Sequence, residues 1–369
     1  MTKVAIISFR RLGFARTFGF TVRDLMILRE LIGMEQIERV DWFERPGLPH
    51  EYLRDLVRGI PYLGDKLRVH GGLDLGLAGA LKHRRMWTHH AMKRHDYGLR
   101  DWAREAGSGG ILIDFNPFYR PPGDLVDTVH SWYDLIDNFT KHNLFSEAEK
   151  AGVAEKYAFV QGHTDLITGV TDAAVAPFNG VTLANRLLPD ALGEIGVTPD
   201  FDLGYLGFIT DKFDLEGLRE FAAQGLKILI CGRAYDRAIA GQISAIPNVT
   251  YHGPFSAHEA PALIGRFKVG MVPYRRDKRH DESPIKFFQY IAHGRPAILS
   301  ASFNVIEKDF PEAVHYYRHG EGGAVRQFVD EWGQGAYAER AMRLARRARN
   351  HPDLFWDHAL SELLARLSD

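Results

Sequence analysis

Short apolar runs alternate with longer stretches of helical spacing along most of the chain. Val4–Ser8 reads as a buried strand, Gly110–Asp114 as a second one closed by Asn116 and Pro117, and Asp127–Tyr133 as a third. A helix is predicted near Thr21–Ile32. The second half is more regular. Strands are predicted at Leu203–Phe208, Leu226–Cys231, Val249–Gly253, Val269–Pro273 and Ala297–Leu299. Helices are predicted at Asp214–Ala223, at Ala257–Phe267 and after Ser283. Brief apolar runs separated by helices predict parallel sheets with both faces covered. The economical architecture is α/β: two Rossmann-like domains, 1–190 and 200–350, with parallel sheets facing a cleft. A hinge is expected near Pro189–Asp202, and a C-terminal helix, 351–369, packs back on the first domain.

Composition narrows the setting. Opposite charges nearly cancel, giving a formal net charge of −1, so no global field points to nucleic acid as a partner. One cysteine, Cys231, excludes a disulfide framework within the chain. The apolar run at the start is too short for a signal-peptide core, and no window has the apolar length of a membrane span. A cytoplasmic location is expected, either free or peripheral on the cytoplasmic face of the inner membrane. The basic segment Lys82–His95, with Trp87 and two methionines, reads equally as a membrane-surface helix or as a solvated basic face. Its adjacent histidines cannot share a helix face, and no metal site is expected there.

The chemistry concentrates in Ser283–Pro296, SPIKFFQYIAHGRP. Ser283 is expected to cap a helix with Pro284 at its first position, and Gly294 to stop it. Lys286 then lies in the first turn, where a cation opposes the helix dipole at a cost of about 0.3–1 kcal/mol. A helix start at the carboxyl edge of a parallel sheet is a ready anion site, and Lys286 would add a full charge to it. Gln289, one turn on, suits a ribose hydroxyl. The alternative is a lysine that snorkels to solvent beside a surface glutamine.

The ordered series Pro247–Phe255, Glu259–Ile264, Val269–Tyr274 and Ser283–Pro296 resembles the nucleotide-binding half of GT-B glycosyltransferases. Leu203–Gly207 resembles the Gly-Tyr-x-Gly strand that opens that half, and Val181–Arg186 the segment leading into it, with Arg186 in place of a glycine. The large retaining families carry two glutamates seven residues apart, where this chain has Asp281 and Gln289. A Lys-x-x-Gln-Tyr helix is similar instead to the membrane-associated glucuronosyltransferase of xanthan assembly, an inverting enzyme. The resemblance implies donor contacts from Ile285, Lys286, Gln289 and Tyr290, with Glu282 and Ser283 just ahead of them. It also implies a Tyr-x-x-x-Asp general base, matched by Tyr133 and Asp137.

Inverting transfer is one displacement. A carboxylate takes the acceptor proton, and positive charge meets the departing diphosphate, so no metal or other cofactor is called for. Asp137 is the candidate base, with Asp134 second. The alternative for Asp137 and Asn138 is a helix cap. Ser8, Phe9, Arg10, Arg11 and Gly13 follow the first strand and are expected to touch acceptor or donor phosphate, or else to form a surface turn. Asp114 and Asn116 are candidates to hold an acceptor hydroxyl. Gly207 would permit close approach of the diphosphate. Arg233 would meet a diphosphate or a sugar carboxylate, and Tyr274 a base or sugar.

The implied function is transfer of a sugar from a nucleotide-sugar, expected to be UDP-linked, to a glycan or lipid-linked acceptor in exopolysaccharide or cell-envelope synthesis. A nucleotide-sugar 2-epimerase of the same fold and a non-catalytic glycan- or nucleotide-binding subunit are the rivals. A dinucleotide dehydrogenase would need a G-x-G-x-x-G after the first strand, where Ser8–Gly13 stands instead.

Overall fold

A computed structural model describes residues 1–75, 84–195 and 198–368. The chain divides into two compact units, Met1–Ala184 with Trp356–Asp369, and Asn185–Phe355.

The sheet of the first unit has seven strands: β1 (Thr2–Ile7), β2 (Ile37–Phe43), β3 (Leu67–His70), β4 (Ile111–Asp114), β5 (His130–Leu135), β6 (Leu166–Gly169) and β7 (Val181–Thr182). They lie in the order β3-β2-β1-β4-β5-β6-β7, every pair parallel. The order reverses direction between β1 and β4, so the crevice at their carboxyl ends is the topological switch point. β2 escapes an apolar-run criterion because Arg39 and Asp41 interrupt it. The fold satisfies both: Arg39 donates from Nε to Asp41 at 2.6 Å and from its other nitrogens to Glu105 at 2.7 and 2.8 Å. The third predicted strand begins later than expected, at His130, because Gly123–Val126 makes a helical turn just ahead.

The second unit has β8 (Phe201–Leu206), β9 (Ile228–Cys231), β10 (Val249–Gly253), β11 (Phe267–Val272), β12 (Ala297–Leu299) and β13 (Val314–Tyr316). These six are ordered β10-β9-β8-β11-β12-β13, again all parallel, with the switch point between β8 and β11. Gly204 of β8 pairs with Gly270 of β11. A Cβ on Gly204 would overlap the Phe267 ring, and one on Gly270 the Tyr290 ring. The two glycines therefore let the Phe267 and Tyr290 rings, packed edge to face at 88°, approach the strands closely beneath the switch point.

The helix Trp356–Ser368 belongs to the first unit, where it packs against the helix Arg23–Gly33 and β5. Trp356 is fully buried, with the Arg23 guanidinium 4.9 Å from its ring centroid.

Candidate functional site

The carboxyl edge of the second sheet gathers the donor-side residues. The helix that follows β11 runs Ile285–Ala292, with Pro284, not Ser283, at its N-cap and no side-chain cap. Ser283 is buried and its hydroxyl donates to Asn304 Oδ1 instead. Its carbonyl accepts from Asn185 Nδ2 at 2.5 Å, and its Oγ from the Asn185 N–H at 3.3 Å. Ser283 thus anchors the loop before the helix and leaves the helix start uncapped.

Lys286 projects from the first turn of that helix. Its Nζ donates to the Tyr274 hydroxyl at 2.8 Å and lies 5.2 Å from the Tyr205 ring centroid and 5.4 Å from that of Tyr274. Among the described residues it is met by the Tyr274 hydroxyl and by the faces of two tyrosine rings. Gly207, just past β8, has φ +140°, and a Cβ there would stand 2.7 Å from Lys286 Nζ. Gly232, just past β9, has φ +147°, and a Cβ would run into the Gly207 carbonyl. Both positions require glycine, and together they open the strand ends around the lysine.

The other donor-side residues divide. Gln289 is half-buried, and its backbone carbonyl accepts from His293 Nδ1 at 2.7 Å. Ile285 is half-buried on the same helix and Arg233 is exposed beyond β9. Glu282 is buried; it accepts from the His280 N–H at 2.7 Å and lies 3.9 Å from Lys212 Nζ. Tyr290 is corrected: it is fully buried, its hydroxyl accepting from the Leu206 N–H at 3.1 Å and donating to the Met271 carbonyl at 3.3 Å. It ties β8 to β11 from below and presents nothing to a ligand. A hollow of about 920 Å³ adjoins this edge, lined in part by Thr210, Asp214, Tyr274, Arg276, Ser300 and His319. Sequence reading misses it because its walls come from the ends of four strands.

In the first unit several expected site residues are occupied elsewhere. Asp134 is buried and held bidentate by Arg23, with both N–H···O distances 2.7 Å, and accepts from Thr168 Oγ1 at 2.6 Å. A carboxylate so enclosed is not available as a base. Asp114 is paired with the fully buried Lys156 at 2.5 Å and also accepts from the Asn116 N–H at 2.8 Å. Burial pushes the Asp114 carboxyl up and the Lys156 ammonium down. Asn116 is fully buried, its Oδ1 accepting from the N–H groups of Phe118 and Tyr119 and its Nδ2 donating to the Ser8 carbonyl at 3.1 Å. Asp114 and Asn116 build the loop after β4 and do not face an acceptor.

Arg11 is likewise buried, 2.7 Å from Asp55 and 3.5 Å from Glu44, and Gly13 provides the room for the Asp55 carboxylate. Arg10 is half-buried over the Phe9 ring and 3.4 Å from Asp24. Ser8 is buried at the end of β1, its hydroxyl without a hydrogen-bond partner. Asp137 lies two residues past β5 and is half-buried, and its backbone carbonyl accepts from the Tyr157 hydroxyl at 3.4 Å. The short turn that follows, Phe139–Lys141, receives no side-chain cap. Tyr133 is buried, its ring centroid 5.2 Å from Lys156 Nζ.

The basic segment has a mixed surface. Lys82 and His83 lie outside the described residues. Of the rest, Trp87, Met92 and His95 are buried, with Arg45 stacked 5.5 Å from the Trp87 ring centroid and His95 bonded to the Glu44 carbonyl at 2.8 Å. Trp87, Ala91 and Met92 are turned into the unit's own core, and the exposed side chains among the described residues are His90, Lys93 and Arg94. No helix among the described residues is long and apolar enough to cross a membrane.

A family profile described as "Glycosyl transferase-like" matches residues 213–365. The putative teichuronic acid biosynthesis glycosyltransferase TuaH of Bacillus subtilis (strain 168) is 25% identical over 274 residues, covering 62% of this chain and 67% of that protein. Among solved structures, the avilamycin A biosynthesis glycosyltransferase AviGT4 superposes with a TM-score of 0.60 at 13% identity, over 99% of this chain and 96% of that one. The lipopolysaccharide outer core galactosyltransferase WaaB gives 0.55 at 11%, over 98% of each chain. Phytolacca americana UGT2, solved with UDP-2-fluoro-glucose and pterostilbene, gives 0.54 at 12% over the whole of each chain.

Proposed function

We propose that this chain, with its GT-B fold, is a glycosyltransferase that moves a sugar from a UDP-sugar to a cell-envelope polysaccharide or its lipid-linked precursor, with inversion. The observation that carries the donor half is Lys286: a cation at an uncapped helix start, held against a neutral tyrosine, beside two strand ends kept open by Gly207 and Gly232. Free N–H groups and a lysine at a switch point suit a diphosphate. Gln289, one turn along, is positioned for ribose, and exposed Arg233 for the diphosphate or a sugar carboxylate. UDP-glucuronate is therefore the donor to test first. The envelope-polysaccharide acceptor follows the similarity to a protein named for teichuronic acid biosynthesis.

The acceptor oxygen bonds to the anomeric carbon as the bond from that carbon to the diphosphate oxygen breaks. The acceptor proton passes to the Asp137 carboxylate, and the electron pair leaves on UDP. Asp137 is preferred because Asp134 and Asp114 are both closed in buried ion pairs. Lys286 and the helix N-terminus stabilise the charge on the leaving group, so this reading calls for no divalent ion. Calorimetric titration of UDP and GDP without metal, into the wild type and Lys286→Ala, tests it. Binding of UDP that is lost in the variant supports the assignment; equal binding by both proteins moves the donor site elsewhere.

A further inference from the structure

The helix Pro49–Arg58 of the first unit is mounted the wrong way round for a globular protein. Its one buried residue is Asp55. Asp55 is clasped by Arg11 at 2.7 Å, and Glu51, four residues back on the same face, takes both Nη atoms of Arg45 at 2.7 Å. The polar face is thus bolted inward by ion pairs. The apolar face looks out: Tyr52 is 39% exposed, Leu53 63%, Leu56 66% and Val57 78%. These four fall on one stripe of a 3.6-residue helix, and the chain continues the stripe with Ile60 at 46% and Tyr62 at 79%. Contiguous apolar patches beyond a few hundred Å² are uncommon on monomers and mark an interaction surface.

Charge indicates the occupant. Both acids of the helix are consumed by the inward ion pairs. The exposed side chains that flank the apolar stripe on this helix are His50, Arg58 and Arg54, which also reaches Asp55 at 3.4 Å; Arg68 of β3 is exposed as well, and the exposed Asp65 accepts from the Tyr62 hydroxyl. An exposed apolar stripe with a cationic margin matches an interface that is apolar within and anionic at its surface. We propose that the Pro49–Tyr62 face is a docking surface for an anionic lipid bilayer. Leu53, Leu56 and Val57 enter the acyl boundary, Tyr52 and Tyr62 sit at headgroup level, and the arginines snorkel to lipid phosphates. The ion pairs of Asp55 and Glu51 hold the helix while its outer face leaves water. This inference stands apart from the donor reading, since it uses none of the same residues.

The test is flotation of the full chain with vesicles of phosphatidylcholine alone and of phosphatidylcholine with about 30% phosphatidylglycerol. Two double variants are compared with wild type: Leu53→Gln with Val57→Gln, and Arg54→Gln with Arg58→Gln. Leu53, Val57 and Arg58 are exposed, and Arg54 is exposed while reaching Asp55 at 3.4 Å, so circular dichroism and the thermal midpoint verify that each variant is folded. The expected result is strong recovery of wild type with the anionic vesicles, at least about tenfold weaker recovery with the neutral ones, and a loss of about tenfold or more in each variant. No recovery of wild type, or undiminished recovery of the leucine–valine variant, overturns the proposal. So does self-association in sedimentation velocity that this variant abolishes while vesicles bind nothing, which would make the face a contact between two copies.

Discussion

Lys286 Nζ rests 2.8 Å from the Tyr274 hydroxyl because the residue opposite it, Gly207, has no Cβ. The lysine is held by a phenol and by ring faces, contacts that a doubly charged phosphate can outbid.

Removing that charge is expected to weaken UDP binding. A charge-assisted hydrogen bond is worth about 1.5–3 kcal/mol, so Lys286→Ala should cost roughly 10- to 100-fold in affinity by calorimetry. Gly207→Ala should act on the same site from the other side. It combines a strained backbone, at about 1–3 kcal/mol, with displacement of the lysine. Reduced thermal stability together with weaker UDP binding is the expected pair of readings.

Asp137 and Asp134 lie three residues apart and should respond in opposite ways to the same substitution. Asp137→Asn is expected to lower kcat by about 10²–10⁴ while UDP affinity and thermal midpoint stay near wild type. Asp134→Asn leaves Arg23 buried without its carboxylate, which typically costs about 3–5 kcal/mol. Urea unfolding should show that loss directly. An Asp137→Asn enzyme that turns over normally would remove the carboxylate from the mechanism.

Transfer should survive chelation. If Lys286 and the helix N-terminus carry the leaving-group charge, excess EDTA leaves initial rates within about twofold of untreated enzyme, since no bound ion supplies that stabilisation. A rate that collapses with EDTA and returns with magnesium or manganese would contradict this.

His293, directly behind the donor helix, should make stability fall on acidification. Its Nε2 lies 3.3 Å from the Gly193 N–H and its Nδ1 2.7 Å from the Gln289 carbonyl, an arrangement that requires the neutral ring. Burial pulls its pKa down from 6.5 to about 4. The unfolded chain therefore binds a proton that the folded chain refuses. The contribution is complete above about pH 6.5 and is lost as pH falls toward 4, amounting to roughly 3 kcal/mol. Urea midpoints measured from pH 7 to pH 4.5 should decline in the wild type and decline less in His293→Gln.

Five of the six strands of the second unit are legible, most of them as apolar runs punctuated by glycine; β13, Val-His-Tyr, is too short and mixed to be read. β2 is not legible either, because Arg39 and Asp41 break its run and find their partners elsewhere in the fold. The same limit governs the site. Lys286 is readable because helix start, charge and neighbouring strand are local in sequence. Arg11, Asp114 and Asp134 sit at strand ends, where ligands bind in this architecture, and so resemble site residues. Their partners are 44, 42 and 111 residues away, and no local pattern tells a satisfied ion pair from a waiting one. Trp87 illustrates the converse: surrounded by basic residues in sequence, it turns inward while its charged neighbours Lys93 and Arg94 do not.

Trp356 caps the Arg23–Asp134 pair from a helix that is translated only after the whole of the second unit. On the ribosome, a chain that has reached Ala184 holds every strand of the first sheet but not the indole that covers its central ion pair. The second unit can close earlier, because Leu187 and Leu354, near its two ends, are joined by a backbone hydrogen bond of 2.8 Å. The order of synthesis and the order of completion are therefore inverted. The unit begun first is finished last, and a nascent chain stalled before residue 356 would expose its unfinished flank to chaperones and proteases.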